Sequence, residues 1–215
     1  DSTTNALTAK SSGRSYAVSG GRIGAARTIT TVREKPADTG INVDVSAASK
    51  DALDKLGTSF VVSLWMRPLG AVTTSDAGVR YDEIIGRKPA TGTQAWQLQL
   101  ADKSNNMRIW SSQTADGNVT TTGQILPLVQ NQWTKLDVVY KPASCEVFAD
   151  GVSKGTITSK YTTPVQGSST LTIGGNPGGG ERSFWGDMDE VRVGQFNANA
   201  TGGAGTADWV KADYD

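Results

Sequence analysis

Two groups of residues in this chain have the types and spacing to do chemistry. The first is an acidic run, Asp187-Met188-Asp189-Glu190. Two carboxylates on one surface can cleave a glycosidic bond, one as the acid and the other as base or nucleophile. Here Asp189 and Glu190 are adjacent, and a regular strand sends adjacent side chains to opposite faces. One carboxylate cannot do the work of the pair, so the run argues against an enzyme. The second group lies on three short stretches that alternate in polarity. Trp65 and Arg67 stand opposite Phe60, Val62, Leu64 and Met66; Gln97 and Gln99 stand opposite Trp96, Leu98 and Leu100. Arg108 and Trp110 stand opposite Met107 and Ile109.

Trp offers apolar area with a polar edge to a sugar ring. Arg and Gln add planar groups of hydrogen-bond donors and acceptors. If the three strands are neighbours in one sheet, these six residues compose a carbohydrate-binding patch on a concave face. The alternative is a solvated sheet face on which Trp covers the stem of an Arg by stacking. The other tryptophans, Trp96, Trp133, Trp185 and Trp209, read as structural.

Composition removes several classes of function. The chain has no His, which excludes a Ser-His-Asp triad, a Cys-His dyad and every His-ligated metal. It has one Cys, Cys145, so it forms no internal disulfide and no thiolate zinc site. Cys145 lies on a strand-like stretch and reads as a small buried hydrophobe. With 21 basic and 21 acidic residues the chain is neutral and has no field to collect nucleic acid. No run approaches the ~18 apolar residues of a spanning helix, so no membrane insertion is expected of this segment. The Gly-rich stretch Gly20–Arg27 lacks the G-x-G-x-x-G spacing of a phosphate loop, and Gly174–Arg182 lacks the Lys-Ser/Thr that a P-loop needs.

The elements that must carry these residues are strands. A length of 215 residues suits one all-β domain, and 25 Gly with abundant Ser and Thr favour strands and turns over helices. Strand-like stretches run over 15–18, 27–32, 60–67, 81–86, 95–100, 107–110, 133–140, 145–149, 153–158, 171–174 and 189–193. Turn signals separate many of them, and Asp150-Gly151 is a strong hairpin signal. The one helical piece, Ser46 to Leu56, is Ala-rich and ends at Gly57. Many short strands with almost no helix predict a two-sheet antiparallel β-sandwich.

The order of pieces adds a resemblance. S-F-x-V-S-L-W-x-R-P, W-x-L-x-L, W-x-K-L-x-V-V-Y, V-F-A-D-G, L-x-I-G-G and F-x-G-x-M-D-E-V-R-V follow one another along the chain. This set resembles the LamG-like jelly rolls of the concanavalin A-like lectin/glucanase superfamily, over roughly residues 20–215. The opening Gly21-Arg22-Ile23-Gly24-Ala25-Ala26 and the ending Asp208-Trp209-Val210-Lys211-Ala212-Asp213-Tyr214 fit it as well. The resemblance implies a jelly roll forming a single domain over 1–215, cut from a longer exported bacterial protein. Relatives that cleave glucans carry E-x-D-x-E, which this chain lacks.

The resemblance also implies a non-catalytic recognition or adhesion module that binds glycans or another surface polymer. It would be secreted, at the cell surface or periplasmic. An architectural or protein-interaction domain without a sugar ligand is the alternative, since the ending resembles domains of multi-domain envelope proteins, some attached to TolQ-type proton channels. Asp189 matches the position from which many relatives hold a structural Ca²⁺, with Asp1, Asn5 and carbonyls near Gly20 and Gly21 as candidate partners. The competing role for Asp189 is to cap a turn through backbone amides.

Overall fold

The computed structural model describes residues 9–11, 15–29, 41–43, 53–69, 81–88, 95–101, 106–112, 119–126, 128–158, 170–175 and 184–195. Their strands are β1 (Ala9–Ser11), β2 (Ser15–Ser19), β3 (Ala25–Ile29), β4 (Ile41–Val43), β5 (Phe60–Pro68), β6 (Tyr81–Lys88) and β7 (Ala95–Ala101). They continue with β8 (Asn106–Ser112), β9 (Val119–Ile125), β10 (Thr134–Lys141), β11 (Ser144–Ala149), β12 (Val152–Thr158), β13 (Thr170–Ile173) and β14 (Gly186–Gln195). The strands form two antiparallel sheets. Sheet I runs β1-β4-β13-β6-β7-β8-β9 and sheet II runs β12-β11-β10-β5-β14-β3-β2. The expected two-sheet antiparallel sandwich is therefore present.

Alternation decides which side chains meet between the sheets. Phe60, Val62, Leu64 and Met66 of β5 enter one core with Trp96, Leu98 and Leu100 of β7, as their spacing predicts. At its centre Phe60 stacks on Tyr140 with ring centroids 4.3 Å apart. Trp96 closes on Phe60 at 4.9 Å and on Tyr140 at 5.7 Å, both tilted. Phe60 and Tyr140 belong to sheet II and Trp96 to sheet I, so these three rings join the two layers. Cys145 is buried with a free thiol, as expected.

Local signals hold where they can be seen. Asp150 and Gly151 have φ of 50° and 72°, the left-handed pair that a tight two-residue hairpin needs between β11 and β12. Gly57, with φ 63°, follows a helical turn at Leu53 and Asp54. The preceding part of the expected helix lies outside the described residues. Arg87 ties this turn to the sandwich. It is almost wholly buried, donates to the Leu53 carbonyl at 2.8 Å and pairs with Asp54 at 2.5 Å.

Removing a core ring leaves a cavity that the surrounding strands close only in part. Trp96→Ala is expected to lower stability by ~3–5 kcal/mol, read from the shift of the urea unfolding midpoint.

Candidate functional site

Because Trp96, Leu98 and Leu100 point into the core, Gln97 and Gln99 belong to the outer face of sheet I. The register sets Gln97 opposite Gly86 on β6 and Trp110 on β8. Gln99 stands opposite Glu83 and Arg108. Residues directly paired across an antiparallel ladder share a face. Gln97, Gln99, Arg108 and Trp110 are therefore neighbours on one face, as the alternation suggested; the side chains of Arg108 and Trp110 lie outside the described residues.

Glu83 is an addition to this face. Alternation counted back from Gly86 turns Glu83 inward, yet the register shifts between Glu83 and Ile85. Ile84 and Ile85 both enter the core, and Glu83 moves to the outer side. A bulge is invisible to period-two reasoning. Gln99 Nε2 donates to Glu83 Oε1 at 2.6 Å and to Gln97 Oε1 at 3.1 Å. Glu83, Gln97 and Gln99 are all buried, and Gln99 Oε1 has no hydrogen-bond partner among the described residues. Gly86 makes room for the cluster. A Cβ there would stand 2.6 Å from Gln97 Cγ and 3.0 Å from the Trp96 carbonyl oxygen.

Trp65 and Arg67 are elsewhere. β5 lies in sheet II between β10 and β14, so the six residues divide into four on one sheet and two on the other. Trp65 is only 6% exposed. The Arg22 guanidinium lies 4.7 Å from its ring centroid and Lys135 Nζ lies 5.9 Å away. Arg67 pairs with Asp187 at 2.5 Å through Nη2 and 2.7 Å through Nε, and its guanidinium covers Trp133 at 4.9 Å. The Thr28 hydroxyl donates to the other oxygen of Asp187. On this part of the patch aromatic rings and cations cover one another, on a face that is largely buried and not solvated. Trp185, read as structural, is 43% exposed.

The acidic run is also fully engaged. Asp187 and Asp189 share the outer face of sheet II, since Met188 between them enters the core, so two carboxylates do stand on one surface, contrary to the count from Asp189 and Glu190 alone. Asp189 is buried. Its Oδ2 accepts from the Ile23 amide at 2.9 Å and its Oδ1 from the Glu190 amide at 2.9 Å. Gly21 packs so closely that a Cβ there would lie 2.7 Å from Asp189 Oδ2. Glu190 does not simply turn to the opposite face as in a regular strand. It has φ 48° in a bulge between Asp189 and Arg192, and it pairs with Arg192 at 2.9 Å.

These hydrogen bonds are those of the capping role for Asp189. Calcium takes six to eight oxygen ligands, several of them carboxylates. Among the described residues no group of three or more Cys, Asp or Glu comes together. Of the candidate partners, Gly21 packs against Asp189, while Asp1 and Asn5 lie outside the described residues.

Two antiparallel sheets around one core, with a polar outer face, define the class of lectin-like jelly-roll sandwiches. A family model described as the concanavalin A-like lectin/glucanases superfamily matches residues 39–199, and the chain belongs to that family. Solved structures agree on the fold. Domain 4 of AbnA, an extracellular arabinanase of Geobacillus stearothermophilus solved with arabinotriose, superposes with TM-score 0.64 at 19% identity, covering 97% of this chain and 87% of that one. The CBM40 of a Ruminococcus gnavus IT-sialidase, bound to α2,3-sialyllactose, gives TM-score 0.60 at 10% identity, covering 97% of this chain and 98% of that one. The botulinum neurotoxin serotype G binding domain gives 0.66 at 12% identity, covering 100% of this chain and 47% of that one. No curated protein matches the chain by sequence.

Asp189→Ala strips two backbone amides of their acceptor and is expected to cost ~1–3 kcal/mol in urea unfolding. EDTA is expected to leave the melting temperature of the unmodified protein unchanged, checked by calorimetry with and without added Ca²⁺.

Proposed function

We propose that this chain is a non-catalytic recognition module that binds a glycan or a similar surface polymer on the outer face of sheet I. Gln97, Gln99, Arg108 and Trp110 are the contact residues in this reading. It acts outside the cytoplasm, as one domain of a longer exported protein. The observation that carries the reading is the buried amide of Gln99. Both hydrogens of its Nε2 are committed to Glu83 and Gln97, while Oε1 has no hydrogen-bond partner among the described residues. A buried acceptor left in this state costs free energy, and because Gln99 is wholly buried a sugar hydroxyl satisfies it only when the groups that cover it move aside.

Trp110, in register with Gln97, supplies the aromatic group that a sugar ring stacks on. The fold relatives solved with arabinotriose and sialyllactose support a sugar as the class of ligand. The engaged state of Asp187, Asp189 and Glu190 supports binding without cleavage.

A second reading has its own observation. Gln97 is 4% exposed and Gln99 0%, as suits an architectural or protein-interaction domain whose sheet faces are covered. One experiment separates the two. On a glycan array that includes arabino-oligosaccharides and sialyllactose, the binding module retains at least one glycan reproducibly. Trp110→Ala then weakens that binding at least tenfold, about 1.4 kcal/mol. Asp189 belongs to the other sheet, so binding persists in EDTA. An array without signal in either condition leaves the architectural reading standing.

A further inference from the structure

Trp185 is exposed and lies just before β14, outside the ladder. Its backbone carbonyl accepts from the Leu69 amide at 3.1 Å, where the chain leaves β5. Leu69 is also held by the loop that precedes β10. The Gln130 side chain donates to the Leu69 carbonyl at 2.8 Å, and the Asn131 amide donates to the Pro68 carbonyl at 2.8 Å. That loop closes on itself through the Gln132 amide and the Val129 carbonyl at 3.1 Å, with Asn131 at φ 64°. Three hydrogen bonds thus fix Trp185 and the segment Val129–Gln132 on either side of Leu69.

What this ledge presents to water is specific. Trp185 is 43% exposed and Val129 49%, two of the four large exposed hydrophobics among the described residues. Gln130, Asn131 and Gln132 are exposed beside them. None of these five residues, nor Leu69, carries a charge. An aromatic face takes the C–H face of a sugar, and planar amides give and accept bonds from its hydroxyls. A described cation lies close by: Arg67, part-exposed, whose guanidinium covers Trp133 next to Gln132. Because the loop is already held, binding orders little.

We propose that Trp185 and the Val129–Gln132 turn form a second saccharide subsite at the end of the sandwich where β5 gives way to β14. The subsite rests on the glycan-binding reading, but it uses other residues. A polysaccharide chain long enough to reach both places is held at two points, and the second contact then forms at the effective concentration set by the first.

The test is affinity electrophoresis of the unmodified protein, Trp185→Ala, Trp185→Phe and Trp110→Ala in gels containing arabinan, xylan, mannan or mixed-linkage β-glucan. At least one polysaccharide is expected to retard the unmodified protein. Trp185→Ala is expected to weaken that retardation at least tenfold in dissociation constant, with Trp185→Phe losing less and both melting as the unmodified protein does. In ¹⁵N-labelled protein the Trp185 indole resonance, assigned by its loss in Trp185→Phe, shifts when the retarding polysaccharide is added. Full retardation of Trp185→Ala with an unmoved indole resonance overturns the subsite; if Trp110→Ala abolishes retardation in the same gels, the sheet-face reading survives alone. If no polysaccharide retards the unmodified protein, the subsite falls; the sheet-face reading falls with it only if the glycan array is silent as well.

Discussion

The contact between Trp96 and the stacked pair Phe60–Tyr140 is what the rest of the molecule depends on. It joins a strand of sheet I to two strands of sheet II, and aromatic pairs of this kind add to the area they bury. It also sets parity. With Trp96 inward, Gln97 and Gln99 have to be outward, because a strand slipped by one residue would exchange its whole apolar and polar sets. The polar face of sheet I follows from the packing of the core beneath it.

Sheet II uses the same constraint differently. The outward residues of β5, β10 and β14 include Ser63, Trp65, Lys135, Asp137, Asp187 and Asp189, and all of them are buried. Burying charge is tolerable when each charge finds a partner. Lys135 lies 3.8 Å from Asp137, Asp187 is held by Arg67 and Thr28, and Asp189 is held by two amides. The Gly20–Gly24 turn contributes the Ile23 amide and the Arg22 guanidinium to this network. It thereby ties the closing strand to an early segment of the chain.

Legibility differed between the two halves of the candidate site. Gln97, Gln99, Arg108 and Trp110 could be grouped beforehand because β7 and β8 are consecutive and paired, so sequence neighbours became spatial neighbours. Trp65 and Arg67 could not. The strands beside β5 are β10 and β14, which arrive from the middle and end of the described chain. Glu83 was hidden by a bulge that adds one residue to the count, and β9 was missed because Val119–Ile125 is mostly Thr, Gly and Gln. Exposure of the tryptophans was not legible either. Trp65 is covered by cations from β10 and from the turn before β3, whereas Trp185 is partly exposed just before β14.

By itself the sequence determined the local terms: strand alternation, the hairpin at Asp150-Gly151, the glycine after the Leu53–Asp54 turn, and the functions that a chain without His and with one Cys cannot have. These depend on residues within a few positions of one another, where backbone geometry and side-chain chemistry act directly. Only the tertiary structure decided which strands became neighbours, and with that whether each outward Trp, Gln or carboxylate met water, a cation or an amide. Groups 120 or 166 positions apart, such as the Arg67 and Asp187 side chains or the Ile23 amide and the Asp189 carboxylate, are brought together by the order of strands in a sheet, and period-two alternation holds no information about that order.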